Sequence, residues 1–224
     1  MRPPHSTFGN DITNTTHQGS NDPNNNDDPN GIPPHIARMG GTRIMSRIAG
    51  HGVIRVVERC EEAKENRKLD LSECELMQVP DAVYHLMRHT ELKTCDLSFN
   101  VIKKIPPKFA VNFNFITDLD LSHNQISKLP DEWANLKSLQ RLNISHNSFI
   151  ALPSVVFKMP KLEQLHANNN GIIEIDTDQM IESENLELVD LRFNPLTRSC
   201  FRKLVNAKVG FRIELSENSK EEDW

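Results

Sequence analysis

The stretch ITDLDLSHNQI, from Ile116 to Ile126, decides the fold, because its spacing returns along the chain. The other copies read NRKLDLSECEL from Asn66, LKTCDLSFNVI from Leu92, LQRLNISHNSF from Leu139, LEQLHANNNGI from Leu162 and LELVDLRFNPL from Leu186. Place nine holds Cys74, Asn100, Asn124, Asn147, Asn170 and Asn194, at steps of 26, 24, 23, 23 and 24 residues. Places four and six, such as Leu119 and Leu121, point to one side of a short strand, as period-two geometry requires. A single strand cannot bury that side. Stacked copies can, by forming a parallel sheet over a continuous apolar column. The amide at place nine then sits where the chain bends and can bond the backbone of neighbouring turns. Cys74 offers only a weak thiol there.

Most copies leave their strand through a similar exit. Val79-Pro80, Ile105-Pro106, Leu129-Pro130 and Leu152-Pro153 follow the place-nine residue, and proline fixes φ as the chain departs. Val83, Phe109, Trp133, Val156 and Met180 recur beyond it as the apolar plug of an outer arc. The spacing L-x-x-L-x-L-x-x-N/C-x-L is that of the leucine-rich repeat. It predicts an α/β solenoid, a horseshoe of about six repeats with a parallel β-sheet on the concave face. The convex face is expected to be helical or irregular.

Outside the repeats the composition changes. All 21 leucines fall between Leu69 and Leu215, whereas residues 1–42 carry seven Asn and six Pro with almost nothing to bury. Such a segment cannot offset its ordering entropy and is expected to be a disordered tail. Residues 43–65 are expected to form an amphipathic N-terminal cap helix, with Ile44, Ile48, Val53, Val57 and Cys60 on its covered face. The repeats then occupy 66–196. A C-terminal cap over 197–213 would use Cys200, Phe201, Leu204, Val205, Val209, Phe211 and Ile213, and 214–224 reads as an acidic tail.

The net charge of −5 divides unevenly between these parts. Residues 1–42 hold two Arg against four Asp, or −2, and residues 214–224 hold one Lys against five acids, or −4, leaving about +1 for the body. No part is basic enough to track phosphates, so nucleic-acid binding is not expected. The apolar runs are too short for a membrane helix, and the start lacks the pattern of an export signal. Cys60, Cys74, Cys95 and Cys200 are therefore expected as thiols in a reducing compartment.

The 23-residue step with its Leu-Pro exit resembles the intracellular leucine-rich-repeat class that includes Ras-pathway and polarity scaffolds. LDLSECEL at 69–76 and LRFNPL at 191–196 narrow that resemblance to one small subfamily, over residues 44–213. The resemblance implies a small cytosolic repeat protein with no known catalytic residues, and it supplies no partner.

Chemistry-bearing residues are sparse. His85 and His89 lie four apart, but two ligands without a third do not make a metal site. His123, His146 and His166 fall on adjacent strands about 4.8 Å apart and could approach one another. The surface-facing places offer more. Place five reads Asp70, Asp96, Asp120, Asn143, His166 and Asp190; place three includes Asp118 and Arg141; place eight includes Phe99, His123, His146 and Phe193. An acidic lane thus runs beside an aromatic and histidine lane, and like charges on neighbouring strands repel unless a cation screens them. The same lane also admits a plain reading, because LDLS is common filler of such repeats.

The sequence therefore points to a cytoplasmic, non-enzymatic adaptor or scaffold in signal transduction. It is expected to bind a protein on the concave face through Asp70, Asp96, Phe99, Asp118, Asp120, His123, Arg141, His146, His166, Asp190 and Phe193. No cofactor, metal, nucleic acid or membrane insertion is expected, and the chain is expected to be a monomer. The alternative is a regulatory subunit of a serine/threonine phosphatase, because Lys208-Val209-Gly210-Phe211 matches a short basic-x-aromatic docking form.

Overall fold

A computed structural model describes residues 52–176 and 185–216. The expected tail 1–42, Ile44, Ile48, Met180 and the residues from 217 onward lie outside the described residues. Seven three-residue strands form one sheet: β1 Lys68–Asp70, β2 Thr94–Asp96, β3 Asp118–Asp120, β4 Arg141–Asn143, β5 Gln164–His166, β6 Leu188–Asp190 and β7 Arg212–Glu214. They are parallel and neighbour one another in chain order. The register never slips, so Leu69, Cys95, Leu119, Leu142, Leu165, Val189 and Ile213 meet in one row. An open, all-parallel sheet of this kind is the leucine-rich repeat solenoid.

The core lies behind the sheet. Place six contributes Leu71, Leu97, Leu121, Ile144, Ala167 and Leu191, all buried. The outer arc begins with short helices, Asp81–Leu86 and Lys108–Asn112, and continues with 3-10 turns, Asp131–Asn135 and Ser154–Lys158. Pro80, Pro130 and Pro153 stand in extended conformation just before three of these segments, where a missing N–H costs nothing. Val83, Phe109, Trp133 and Val156 are fully buried under this arc. The aromatics there touch, with Phe109 centred 5.7 Å from Trp133 and 5.1 Å from Phe113, and Tyr84 5.5 Å from Phe113.

Each place-nine amide ties its copy to the one before. Asn124 Nδ2 donates to Leu97 O at 2.9 Å and to Leu121 O at 3.1 Å, while its Oδ1 accepts from Ile102 N at 3.0 Å. Asn100, Asn147, Asn170 and Asn194 repeat the arrangement, each donating to a carbonyl of the preceding copy. A buried carbonyl left without a donor is costly, so these amides make adjacent copies fold together.

The N-terminal end differs from the sequence expectation in its rotation. A helix over 52–66 buries Val56, Cys60 and Ala63, whereas Val53 and Val57 are 65% and 37% exposed. The reason is the open edge of β1. In later copies the carbonyls at places five and seven accept from the preceding strand, as Asp96 O does from Leu71 N at 2.8 Å and Ser98 O from Glu73 N at 3.2 Å. No strand precedes β1 among the described residues. Arg59 Nη1 donates instead to Ser72 O at 2.7 Å and Asp70 O at 3.1 Å, and Arg55 Nη1 to Glu73 O at 3.3 Å. One guanidinium stands in for two backbone N–H groups. Arg59→Ala is expected to lower stability by about 1–2 kcal/mol, allowing for the partial exposure of the pair. A urea titration that leaves the midpoint unchanged would mean water serves that edge as well.

At the other end the helix Arg198–Val205 is capped by Thr197 Oγ1, which accepts from Cys200 N at 3.1 Å. Cys200 and Leu204 turn inward, but Val205, expected among the closing residues, is 60% exposed. One residue further along a helix is a rotation of about 100°, enough to carry Val205 off the buried face. Residues expected only to close the solenoid then form β7, which runs one residue past the boundary drawn at 213. Ile213, Glu214, Leu215, Ser216 and Asn218 repeat places four, five, six, seven and nine, 24 residues after Asn194. Gly210 at place one and Lys220 at place eleven hid this copy, because neither offers an apolar side chain.

Candidate functional site

Strand register fixes what neighbours what on the sheet face. Place five forms the row Asp70, Asp96, Asp120, Asn143, His166, Asp190 and Glu214. Most of these side chains have a local task. Oδ1 of Asp70, Asp96, Asp120, Asn143 and Asp190 accepts from the backbone N–H two residues on, at 2.8–3.0 Å. This is an Asx turn where the chain leaves the strand, and it explains why Asp or Asn recurs at place five. Of the seven, His166 and Glu214 are not among those that make it. The acidic lane is thus partly turn chemistry.

The lane is also less acidic than its sequence. Asp118 pairs with Arg141 across β3 and β4 and accepts from Thr117 Oγ1 at 2.6 Å. Asp70 lies 3.4 Å from Arg59. Its burial would raise the carboxyl, but bonds from the Ser72 hydroxyl and amide, with Arg59 nearby, leave it below the usual range. Asp190 is only 2% exposed and accepts from Arg192 Nη2 at 2.7 Å, with His166 Nδ1 4.0 Å away. It too is held below the usual range, burial opposing and the Arg192 bonds prevailing. Asp190 was expected to face a partner; Arg192 covers it instead, and Arg192 reaches on to Glu214 at 3.2 Å. That leaves Asp96 and Asp120, which meet no cationic side chain among the described residues. Asp120 Oδ2 does accept from Asn143 Nδ2 at 2.9 Å.

Asp96, Asp118, Asp120, Arg141, Asn143 and His166 line a shallow depression of about 350 Å³ over β2–β5. Asn143 and Thr94, which also lines it, were not expected among the site residues. Their places in the strand were the signal, since three and five always face away from the core.

Place eight behaves differently. Glu73, Phe99, His123, His146, Asn169 and Phe193 all have φ between 52° and 58°, in the left-handed region. That conformation is unfavourable for residues with a Cβ. It is held by the neighbouring turns, as where Phe99 N donates to Ser122 O and His123 N to Ser145 O, both at 3.1 Å. The result is a stack of rings. Phe99 and His123 are centred 4.1 Å apart at 9°, and His123 and His146 4.0 Å apart at 11°. Partial burial and the neighbouring His146 hold His123 below its ordinary pKa, with Asp120 acting in the opposite sense.

The expected residues therefore separate. The stack and depression collect Asp96, Phe99, Asp118, Asp120, His123, Arg141, His146 and His166, whereas Phe193 stands apart beyond Asn169 at 65% exposure. Of the three histidines that could approach one another, His123 and His146 meet, whereas His166 lies in the place-five row against Asp190. No group of three or more potential metal ligands occurs among the described residues. Val209 and Phe211 pack partly buried against the core, so docking through 208–211 would have to draw both side chains out.

Known proteins bear the same pattern. A family model described as leucine rich repeat matches residues 90–149. Mouse leucine-rich repeat-containing protein 20 is 41% identical over 157 residues, covering 68% of this chain and 85% of the mouse protein. Its human namesake is 30% identical over 100 residues, which span 43% of this chain and about half, 54%, of that protein. A solved leucine-rich repeat protein of Leptospira interrogans superposes with a TM-score of 0.53 at 25% identity, over 62% of this chain and 34% of its own length. No helix among the described residues is long and apolar enough to cross a membrane. Repeat register, open parallel sheet and the extent of the mouse match agree, and the chain belongs to the leucine-rich repeat-containing protein 20 family.

Proposed function

We propose that this protein is a non-enzymatic intracellular adaptor, monomeric by itself, that holds a protein partner on the exposed face of its sheet over β2–β5. The observation that supports this reading is the Phe99–His123–His146 stack. Phe99 is 53% exposed, and its ring is absent from the buried core. An exposed aromatic held in a left-handed turn serves the interior poorly and suits an interface, where aromatic anchors carry much of the energy. The depression beside it gives a partner side chain somewhere to enter.

The test begins with proximity labelling by the full chain, followed by binding kinetics with the partner found. Phe99→Ala is expected to raise the dissociation rate about 30-fold, corresponding to the roughly 2 kcal/mol of a central aromatic. The thermal midpoint should stay within a degree or so of the parent, because the ring stands outside the core. An unchanged dissociation rate in a folded variant would remove the reading.

A further inference from the structure

The chemistry around the stack narrows the kind of partner. Phe99 has one face against His123 and no ring against the other among the described residues. Asp96 lies three residues earlier in the same copy, and Asp120 pairs with Asp96 in register on the next strand. Strands so paired stand about 4.8 Å apart, which sets two carboxylates side by side with no cation among the described side chains to screen them. Arg141, the cation in the depression, is already committed to Asp118. A partner that brings a cation therefore meets complementary charge and an aromatic platform together, and an incoming phosphate would meet repulsion.

Resting on the proposed function above, we propose that this face takes an arginine-bearing extended segment of a protein. Its guanidinium is shared between the carboxylates of Asp96 and Asp120, and the adjoining part of the segment packs on the exposed ring of Phe99. Arginine fits better than lysine for physical reasons. Its planar fork can bond two carboxylates at once, whereas an ammonium is a strongly hydrated point charge.

Asparagine substitution isolates the charge from the fold. Asn143 already occupies place five, and its Oδ1 accepts from Ser145 N at 3.0 Å as Asp96 and Asp120 accept from Ser98 and Ser122. Asp96→Asn with Asp120→Asn therefore keeps both turns and removes both charges, at the loss of one part-buried bond, from Asn143 Nδ2 to position 120.

The experiment uses the full chain with short fluorescein-labelled Gly-Ser peptides carrying interspersed Arg, Lys, Gln or Glu, and a labelled single-stranded oligonucleotide, read by anisotropy at low and high salt. The Arg peptide is expected to bind about tenfold more tightly than the Gln peptide and more tightly than the Lys peptide, with affinity falling as salt rises. The double Asn variant should lose most of that preference while still unfolding cooperatively close to the parent midpoint, and Phe99→Ala should weaken the Arg and Lys peptides alike. Equal binding of the Arg and Gln peptides, preference for the oligonucleotide, or a preference untouched by the double variant would overturn the proposal. The broader reading fails separately. A native partner released by Phe99→Ala but indifferent to salt and to the double variant sinks the arginine assignment alone, whereas one indifferent to Phe99→Ala sinks both.

Discussion

Trp133→Ala is expected to cost about 3–5 kcal/mol, the largest single effect in the molecule. Trp133 is fully buried beneath the 3-10 turn Asp131–Asn135, with its ring centred 5.7 Å from that of Phe109. The short turns of the outer arc cannot collapse into the vacated space, because each is tethered at both ends to a strand in fixed register. A chemical denaturation midpoint measures the loss. Trp133→Phe separates two contributions, since the indole Nε1 is buried and meets no hydrogen-bond partner among the described residues. Phenylalanine gives up no hydrogen bond and keeps an aromatic face toward Phe109, so it should cost clearly less than alanine. If both variants lose the same amount, packing at this plug is not what stabilises the arc.

Asn124→Ala is expected to be the second large loss. It removes the donor to Leu97 O and Leu121 O and the acceptor for Ile102 N, at a site where water has little access. Leaving these buried backbone groups unpaired costs about 1–3 kcal/mol for the substitution as a whole, and an alanine methyl replaces none of the bonds. Asn124→Cys is the sharper test, since the chain itself has Cys74 in the equivalent slot. At the first copy a thiol suffices because Arg59 serves the edge carbonyls and approaches the Cys74 sulfur at 3.3 Å. In the middle of the sheet no such arginine is at hand, so cysteine there should cost nearly as much as alanine. A well-tolerated Asn124→Cys would show that the amide ladder is dispensable.

The aspartates of places three and five show where sequence reading stopped short. Their one-letter pattern suggests a uniform acidic lane, yet the structure divides it. Asp70 meets Arg59, Asp190 is buried under Arg192, Asp118 is matched by Arg141, and only Asp96 and Asp120 meet no cation among the described residues. Those pairings join residues on different elements, or an arginine whose reach depends on its turn, and no spacing rule announces them. The rotation of the first helix was hidden for a similar reason. Apolar periodicity placed Cys60 correctly but favoured Val53 and Val57 beside it, whereas the helix that brings Arg55 and Arg59 to the open carbonyls of β1 turns Val56 and Ala63 inward with Cys60.

The sequence by itself determined the fold class, the register of β1 to β6, the buried leucine column and the place-nine amides, because each depends on a period that the chain repeats. Even β7 was written there, in the row from Ile213 to Asn218, behind an atypical first place. Only the tertiary structure decided which charges are spent, which rings stack and which helix face is covered. Periodicity fixes which side of a strand a residue occupies, since that is a local property of the backbone. Pairing of long side chains is settled by distances between separate turns and by the competition of each donor for the nearest unpaired acceptor, which exist only once the copies have stacked.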